Sequence, residues 1–67
     1  PLDLETFRPG QRVRVTKAPH LSEIAHISSL PERMVRFPSG LRARGAEIEL
    51  ANGDTTLVPL ANIEVIG

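Results

Sequence analysis

The sequence predicts a small all-β domain in which five short strands form a closed or partly closed barrel. The chain has only 67 residues, apolar and polar side chains alternate in several short stretches, and six prolines recur every ten to twenty residues. Proline cannot donate to a strand ladder or continue a helix, so this spacing keeps every element short. Such a chain is too small for two packed sheets, and closure would remove exposed sheet edges.

The first predicted strand spans residues 11–16. Pro9-Gly10 marks a turn before it, and the strand residues alternate polar and apolar side chains with a period of two. This alternation is typical of a half-buried strand, so Val13 and Val15 are expected to face inward.

A hairpin is predicted from residues 46–50 to residues 55–58. Both stretches suit strands, and Asn52-Gly53 between them supplies two residues that tolerate the positive φ angles of a tight hairpin turn. Pro59 is expected to end the return strand because it has no N–H to donate.

The end of the chain predicts one more strand. Residues 60–62 are expected to form a short turn, and residues 63–66 alternate apolar and polar side chains as a last strand does.

Residues 20–30 admit two interpretations. Apolar residues advance in steps of three between two prolines, which suits an amphipathic helix of three turns. The alternative is a turn through residues 18–22 followed by a strand that contains Ile24, Ala25 and Ile27. Periodicity leaves both open, and we prefer the strand because of the resemblance described below.

The predicted core is aliphatic, with one of the two phenylalanines, Phe7 or Phe37, closing an end of the barrel. A chain of this size buries only about 60% of its unfolded surface, so we expect modest stability. The predicted inward-facing residues are Val13, Val15, Ile24, Ile27, Leu30, Ile48, Leu50, Leu57, Ile63 and Val65.

Residues 9–30 carry a turn, strand, turn and strand in a recognisable order. Pro9-Gly10 leads into the alternating Val13-Arg14-Val15, Ala18-Pro19 follows as a second turn, and Ile27 and Leu30 take the apolar positions of a second strand. This segment resembles the KOW motif of SH3-like barrels. The resemblance implies a five-stranded SH3-like barrel, and it implies a strand between the second turn and Leu30.

The chain also departs from the KOW pattern. Ala18, Ser22 and Ala25 stand where the family has glycine, and a non-glycine residue at positive φ costs on the order of 1 kcal/mol. The resemblance implies nucleic-acid contacts as one possible role. Looser resemblances, to small accessory subunits of photosynthetic electron-transfer complexes and to appended domains of enzymes, imply a docking face. Residues 58–66 are similar to the turn and last strand that close these barrels.

Charge is segregated along a chain whose formal net charge is zero. Residues 45–67 contain four acidic side chains and no basic one, whereas two other segments are basic without an acid. Those segments, 8–17 and 33–44, hold Arg8, Arg12, Arg14 and Lys17, and Arg33, Arg36, Arg42 and Arg44, respectively.

Two interpretations of the basic segments follow. Arg12 and Arg14 are expected to pair across strands with Glu47, Glu49 or Glu64, which is usual for exposed strand charges. The second segment lies in a predicted loop. Its arginines are either solvated or bind phosphates or an acidic protein surface, because the guanidinium fork suits bidentate contacts with such groups. The predicted partner-binding residues are Arg33, Met34, Arg36, Phe37, Arg42 and Arg44. Alternatively, Phe37 folds back over the barrel mouth.

No catalytic or metal-binding motif stands out. His20, Glu23 and His26 invite a metal site, but their spacing diverges on a helix and scatters on a strand, so we predict none. The serines, at positions 22, 28, 29 and 39, show no recognisable arrangement with histidine and aspartate. We expect no enzyme activity and no cofactor.

These observations predict the function in outline. We expect one domain over residues 1–67, cut from a longer chain, that docks non-catalytically onto a protein or neighbouring domain with an acidic surface. The alternative is RNA or DNA binding, with Arg8, Arg12, Arg14 and Lys17 as phosphate contacts. Without cysteine or a long apolar run, the chain is expected to be cytoplasmic, with no membrane partner.

Overall fold

A computed structural model of the chain describes residues 6–67, which contain seven β-strands and no α-helix. A short 3-10 helix, Leu60–Asn62, precedes the last strand. The strands are β1 (Arg12–Val15), β2 (Ile24–Ser29), β3 (Val35–Arg36), β4 (Arg42–Ala43), β5 (Gly45–Leu50), β6 (Thr55–Pro59) and β7 (Ile63–Val65). No described helix has the length and apolar character needed to cross a membrane.

Five of the strands form one antiparallel sheet in the order β6-β5-β2-β1-β7. Four of them, β1, β5, β6 and β7, are strands that the sequence pattern predicts directly. The fifth, β2, confirms the strand interpretation of residues 20–30, which periodicity had left open. The remaining two strands, β3 and β4, pair only with each other. They lie where the sequence analysis expected a loop.

The sheet is not closed into a barrel, so the all-β prediction is confirmed but the five-stranded SH3-like barrel, predicted as closed or partly closed, is not. Within residues 6–67, the edge strands β6 and β7 do not pair with each other. The 3-10 helix carries the chain from one edge to the other instead. The Leu60 N–H donates to the Arg44 carbonyl at 3.0 Å, and the Asn62 carbonyl accepts from the Thr16 N–H at 2.7 Å. Leu60 thereby fills the open side and is buried.

The core lies on one face of the sheet. Most of the predicted core residues are buried there, and Phe7 is the phenylalanine that joins them. Ala25, Ala46, Val58 and Leu60, which the sequence analysis omitted, are also buried. The full buried cluster is Phe7, Val13, Val15, Ala25, Ile27, Ala46, Ile48, Leu50, Val58, Leu60 and Ile63, with Leu30 packed against it.

Three residues predicted to face inward are instead about two-fifths exposed: Ile24, Leu57 and Val65. Ile24 and Ile27 lie three residues apart, so a strand cannot place both on one face, and Ala25 shares the buried face with Ile27. Leu57 faces outward opposite Glu47. Val65 lies opposite the buried Val13, but β7 is a short edge strand that leaves it partly uncovered.

Two predicted turns are present. In the first, the Gln11 N–H donates to the Arg8 carbonyl at 3.3 Å, and Gly10 has a φ of +91° after Pro9. Proline followed by a positive-φ glycine is typical of a type II turn.

The β5–β6 turn differs in detail from the prediction. Gly53 has a φ of +91°, and its N–H donates to the Leu50 carbonyl at 2.9 Å, but Asn52 does not have a positive φ. The connection is therefore a three-residue loop with a glycine bulge rather than a two-residue turn. The Asn52 side-chain oxygen accepts from the Asp54 N–H at 2.9 Å.

The loop between β1 and β2 contains Ser22, one of the three residues that stand where the KOW pattern has glycine, and its backbone has a positive φ. Ser22 has a φ of +70°, whereas neither Ala18 nor Ala25 has a positive φ. Its N–H donates to the Val15 carbonyl at 2.7 Å, which fixes the loop against β1. Of these three positions, Ser22 is therefore the one whose positive φ favours glycine.

Replacing Ser22 with glycine is expected to stabilise the domain by up to about 1 kcal/mol, because glycine adopts positive φ without the Cβ clash. The measurement is the midpoint of urea denaturation, which should rise while the dependence of the unfolding free energy on urea concentration stays the same. Thr55→Gly, at an exposed and regularly paired position of β6 opposite Glu49, is the control and should destabilise by about 0.5–1 kcal/mol. If both variants lose stability equally, Ser22 is not strained.

Candidate functional site

The segment that the sequence predicts as a loop is a β-hairpin. Val35 pairs with Ala43 and Arg36 with Arg42. At the turn, the Phe37 N–H donates to the Leu41 carbonyl and the Phe37 carbonyl accepts from the Gly40 N–H, both at 2.8 Å.

This turn repeats the β5–β6 turn. Gly40, like Gly53, has a φ of +91°, and the Ser39 hydroxyl accepts from the Leu41 N–H at 3.4 Å as the Asn52 side chain accepts from the residue after its glycine. A small polar residue followed by glycine is the sequence signal that could have revealed the hairpin.

Arg36 and Arg42, the arginine pair, lie directly opposite each other across this hairpin. The adjacent pair, Phe37 and Leu41, carries the turn hydrogen bond, so the arginines form a non-hydrogen-bonded pair, the type in which side chains approach most closely. Both are exposed, and within residues 6–67 neither guanidinium has a carboxylate within 4.0 Å. Like charges directly opposite each other are destabilising.

Two exposed apolar side chains lie near the arginine pair along the chain. Met34, immediately before β3, is 53% exposed, and Leu41, in the turn, is 50% exposed. Leu41 was missed by the sequence analysis because its exposure depends on the hairpin turn. Arg33 is exposed beside Met34 and also has no carboxylate partner in the described part of the chain.

Arg44 differs from the other arginines of the segment because it is half-buried. Its Nη2 donates to the Pro31 carbonyl at 3.1 Å, and its Nε is buried without a hydrogen-bond partner among the described residues. The side chain therefore ties the strand junction to the segment before β3. The partner contact predicted for Arg44 therefore falls on a half-buried side chain that is already hydrogen-bonded within the domain.

Phe37 folds back onto Gly45, at the start of β5. A Cβ at Gly45 would lie 3.1 Å from the Phe37 Cζ, 3.1 Å from the Val58 carbonyl oxygen and 3.6 Å from the Leu57 Cδ1. Leu57 lies on the outward face, so Phe37 covers that face of the sheet. The aromatic ring of the core belongs to Phe7, and Phe37 anchors the hairpin instead of presenting a free apolar contact.

The basic residues of segment 8–17 do not form one cluster of free charges. Arg14 makes an ion pair with Glu64, its register partner on β7, which confirms one predicted cross-strand pair. Both side chains are about half exposed, so the pair contributes less than about 1 kcal/mol. Arg8 donates through Nη1 to the Phe7 carbonyl at 2.9 Å.

Arg12 and Lys17 are the exposed members of that segment without a described carboxylate partner. Arg12 lies opposite His26, which in turn lies opposite Glu49. The predicted pairing of Arg12 with an acidic side chain is therefore absent within residues 6–67.

The residues of the considered metal motif separate in the fold. His20 Nδ1 contacts Glu23 Oε2 at 2.8 Å in the β1–β2 loop, whereas His26 lies on the exposed face of β2. Over residues 6–67, no group of three or more histidine, cysteine, aspartate or glutamate side chains is placed to hold a metal ion. No pocket is found in that part of the chain either.

The candidate site is thus the exposed surface of the β3–β4 hairpin. It comprises the arginine pair, Arg33 beside it, and the apolar Met34 and Leu41. Comparison of the chain with protein-family models, curated proteins and solved structures finds no match.

Proposed function

We propose that this domain is a non-catalytic protein-interaction module of a larger protein or complex, and that it docks onto an acidic partner through the β3–β4 hairpin. The observation that carries the proposal is the arginine pair: Arg36 and Arg42 lie opposite each other and exposed. An arrangement that costs stability without local compensation is typical of a functional site. An acidic partner would supply the missing compensation.

The side chains around the pair support a protein partner. Arginine and methionine are both enriched in protein interfaces, and Met34 and Leu41 add exposed apolar surface to the hairpin. Phe37, packed on Gly45, holds the hairpin against the sheet, so a partner would meet a pre-organised surface. Pre-organisation lowers the entropy cost of binding.

The proposal also concerns the fold family. We propose that the domain is an open variant of the SH3-like, KOW-related barrel, supported by five antiparallel strands, the Pro9-Gly10 turn and the 3-10 helix before β7. The module would act in the cytoplasm, where a chain without cysteine loses nothing in a reducing environment.

The test is charge reversal of the arginine pair. Arg36→Glu combined with Arg42→Glu should weaken binding of an aspartate- and glutamate-rich peptide at least tenfold, which is about 1.4 kcal/mol. The measurement is an NMR titration that follows each backbone amide. In the unmodified domain, the largest changes in amide chemical shift should occur at residues 33–42.

The matched control reverses two other basic residues that have no carboxylate partner within residues 6–67, Arg12→Glu with Lys17→Glu, so that net charge changes equally. Well-dispersed amide spectra verify that both variants are folded. Equal loss of binding in the control would mean that the peptide senses only net charge, and the docking proposal would fail. Unchanged capture of partners by the Arg36 and Arg42 variant would count against it as well.

Nucleic-acid binding is the second candidate. It is favoured by one observation, that Arg12 and Lys17 are exposed without carboxylate partners in addition to the arginine pair. A salt titration with single- and double-stranded oligonucleotides tests it, because phosphate contacts weaken steeply as salt is added. Absence of binding to any oligonucleotide at low salt would remove this candidate.

A further inference from the structure

We infer that the arginine pair binds one dianionic group, a phosphomonoester carried on a protein chain. The inference rests on the proposed docking function and specifies what the partner presents. Arg36 and Arg42 are two cations held side by side, and the acidic group that binds them must compensate both charges.

The spacing of the pair favours a single anionic centre. Side chains directly opposite each other in an antiparallel pair have Cβ atoms about 4.5–5.5 Å apart. From that separation, two exposed guanidinium groups can converge on one anion, because neither is engaged by a described acidic side chain. Each guanidinium offers a planar fork of donors.

The charge of the pair distinguishes a phosphoryl group from a carboxylate. A carboxylate brings one negative charge and two oxygens, which satisfy one guanidinium fork. A phosphomonoester brings about −1.5 to −2 charges at neutral pH and three acceptor oxygens. One phosphomonoester can therefore serve both forks and offset the repulsion between Arg36 and Arg42.

The surroundings disfavour an extended polyanion such as a nucleic acid. Glu47 and Glu49 are exposed on β5, and Glu47 follows Arg42 by five residues, at most about 17 Å along the chain. Carboxylates this near lower the positive potential along the surface, which disfavours a run of successive phosphates. Base stacking also lacks a free ring, because Phe7 is buried and Phe37 packs on Gly45.

The experiment compares four probes on the 67-residue domain. Three of the probes are short peptides that differ at one position, which is phosphoserine, glutamate or serine, and that carry no other charge. Inorganic phosphate is the fourth probe. The unmodified domain should bind the phosphoserine peptide at least tenfold more tightly than each of the other three. Arg36→Lys with Arg42→Lys, which keeps both charges but removes the forks, should lose most of that preference. Arg12→Lys, an exposed arginine outside the hairpin, should retain it.

The outcomes separate this inference from the function on which it rests. Equal affinity for the phosphoserine and glutamate peptides would overturn the phosphomonoester assignment while leaving acidic docking intact. If inorganic phosphate binds as tightly as the phosphoserine peptide, the inference that the phosphomonoester is carried on a protein chain would be wrong. If the lysine variant keeps the full preference, the paired forks are not the recognition element. Tighter binding of an oligonucleotide than of the phosphoserine peptide would overturn the inference in favour of nucleic acid.

Discussion

Ile27→Ala is expected to lower the free energy of unfolding by about 2–5 kcal/mol, because it leaves a cavity in the tightly packed face of the sheet. Ile27 is 2% exposed and lies on β2, the middle strand of the five. A 67-residue chain has roughly 3–10 kcal/mol of stability in total. The variant should therefore be largely unfolded well below the denaturation midpoint of the unmodified domain, as followed by far-ultraviolet circular dichroism in urea.

Ile24→Ala is the matched control for this prediction. It removes the same atoms from the same strand, but Ile24 is 38% exposed on the opposite face, across from Arg14. We expect a smaller loss, about 1–1.5 kcal/mol, because part of the Ile24 side chain is already in contact with water. Comparable losses at Ile24 and Ile27 would show that β2 presents its faces differently from the register described.

Gly45→Ala is expected to destabilise the domain by about 1–3 kcal/mol, the usual cost of forcing extra volume into a packed contact. The added Cβ would lie 3.1 Å from both the Phe37 Cζ and the Val58 carbonyl oxygen. The ring can retreat, but the carbonyl belongs to the paired strand β6. We expect amide chemical shifts of β3 and β4 to change, together with a lower urea midpoint.

Two companion variants isolate the cause. Gly67→Ala, whose added Cβ would have Arg12 Cβ as its nearest neighbour at 3.9 Å, should be nearly neutral. In a Phe37→Ala background, the cost of Gly45→Ala should fall because the ring is gone, and the double-mutant cycle measures that coupling. A cost unaffected by Phe37→Ala would assign the clash to the carbonyl alone.

Four of the five strands of the main sheet are predicted by local signals in the sequence, whereas β2 is preferred over a helix only because residues 9–30 resemble the KOW motif. Alternation over four to six residues identifies a strand without reference to its neighbours, as for Val13 and Val15. Turn chemistry is local too, so Pro9-Gly10 and Gly53 mark turns that the fold contains. The absence of acidic residues from 33–44 is likewise visible in the order of residues alone.

Tertiary structure decides which face each strand buries and how the arginines are grouped. The strands β3 and β4 have two residues each. Two residues are too few to show the alternation of polar and apolar side chains that identifies a strand in a sequence. The pairing of Arg36 with Arg42 depends on a turn between them, and the contact of Phe37 with Gly45 joins residues of different strands. Ile24 and Ile27 look alike along the chain, and only pairing with β1 and β5 determines which of them is buried. Contacts of this kind join residues that are distant along the chain. They depend on tertiary packing, which a local sequence pattern does not determine.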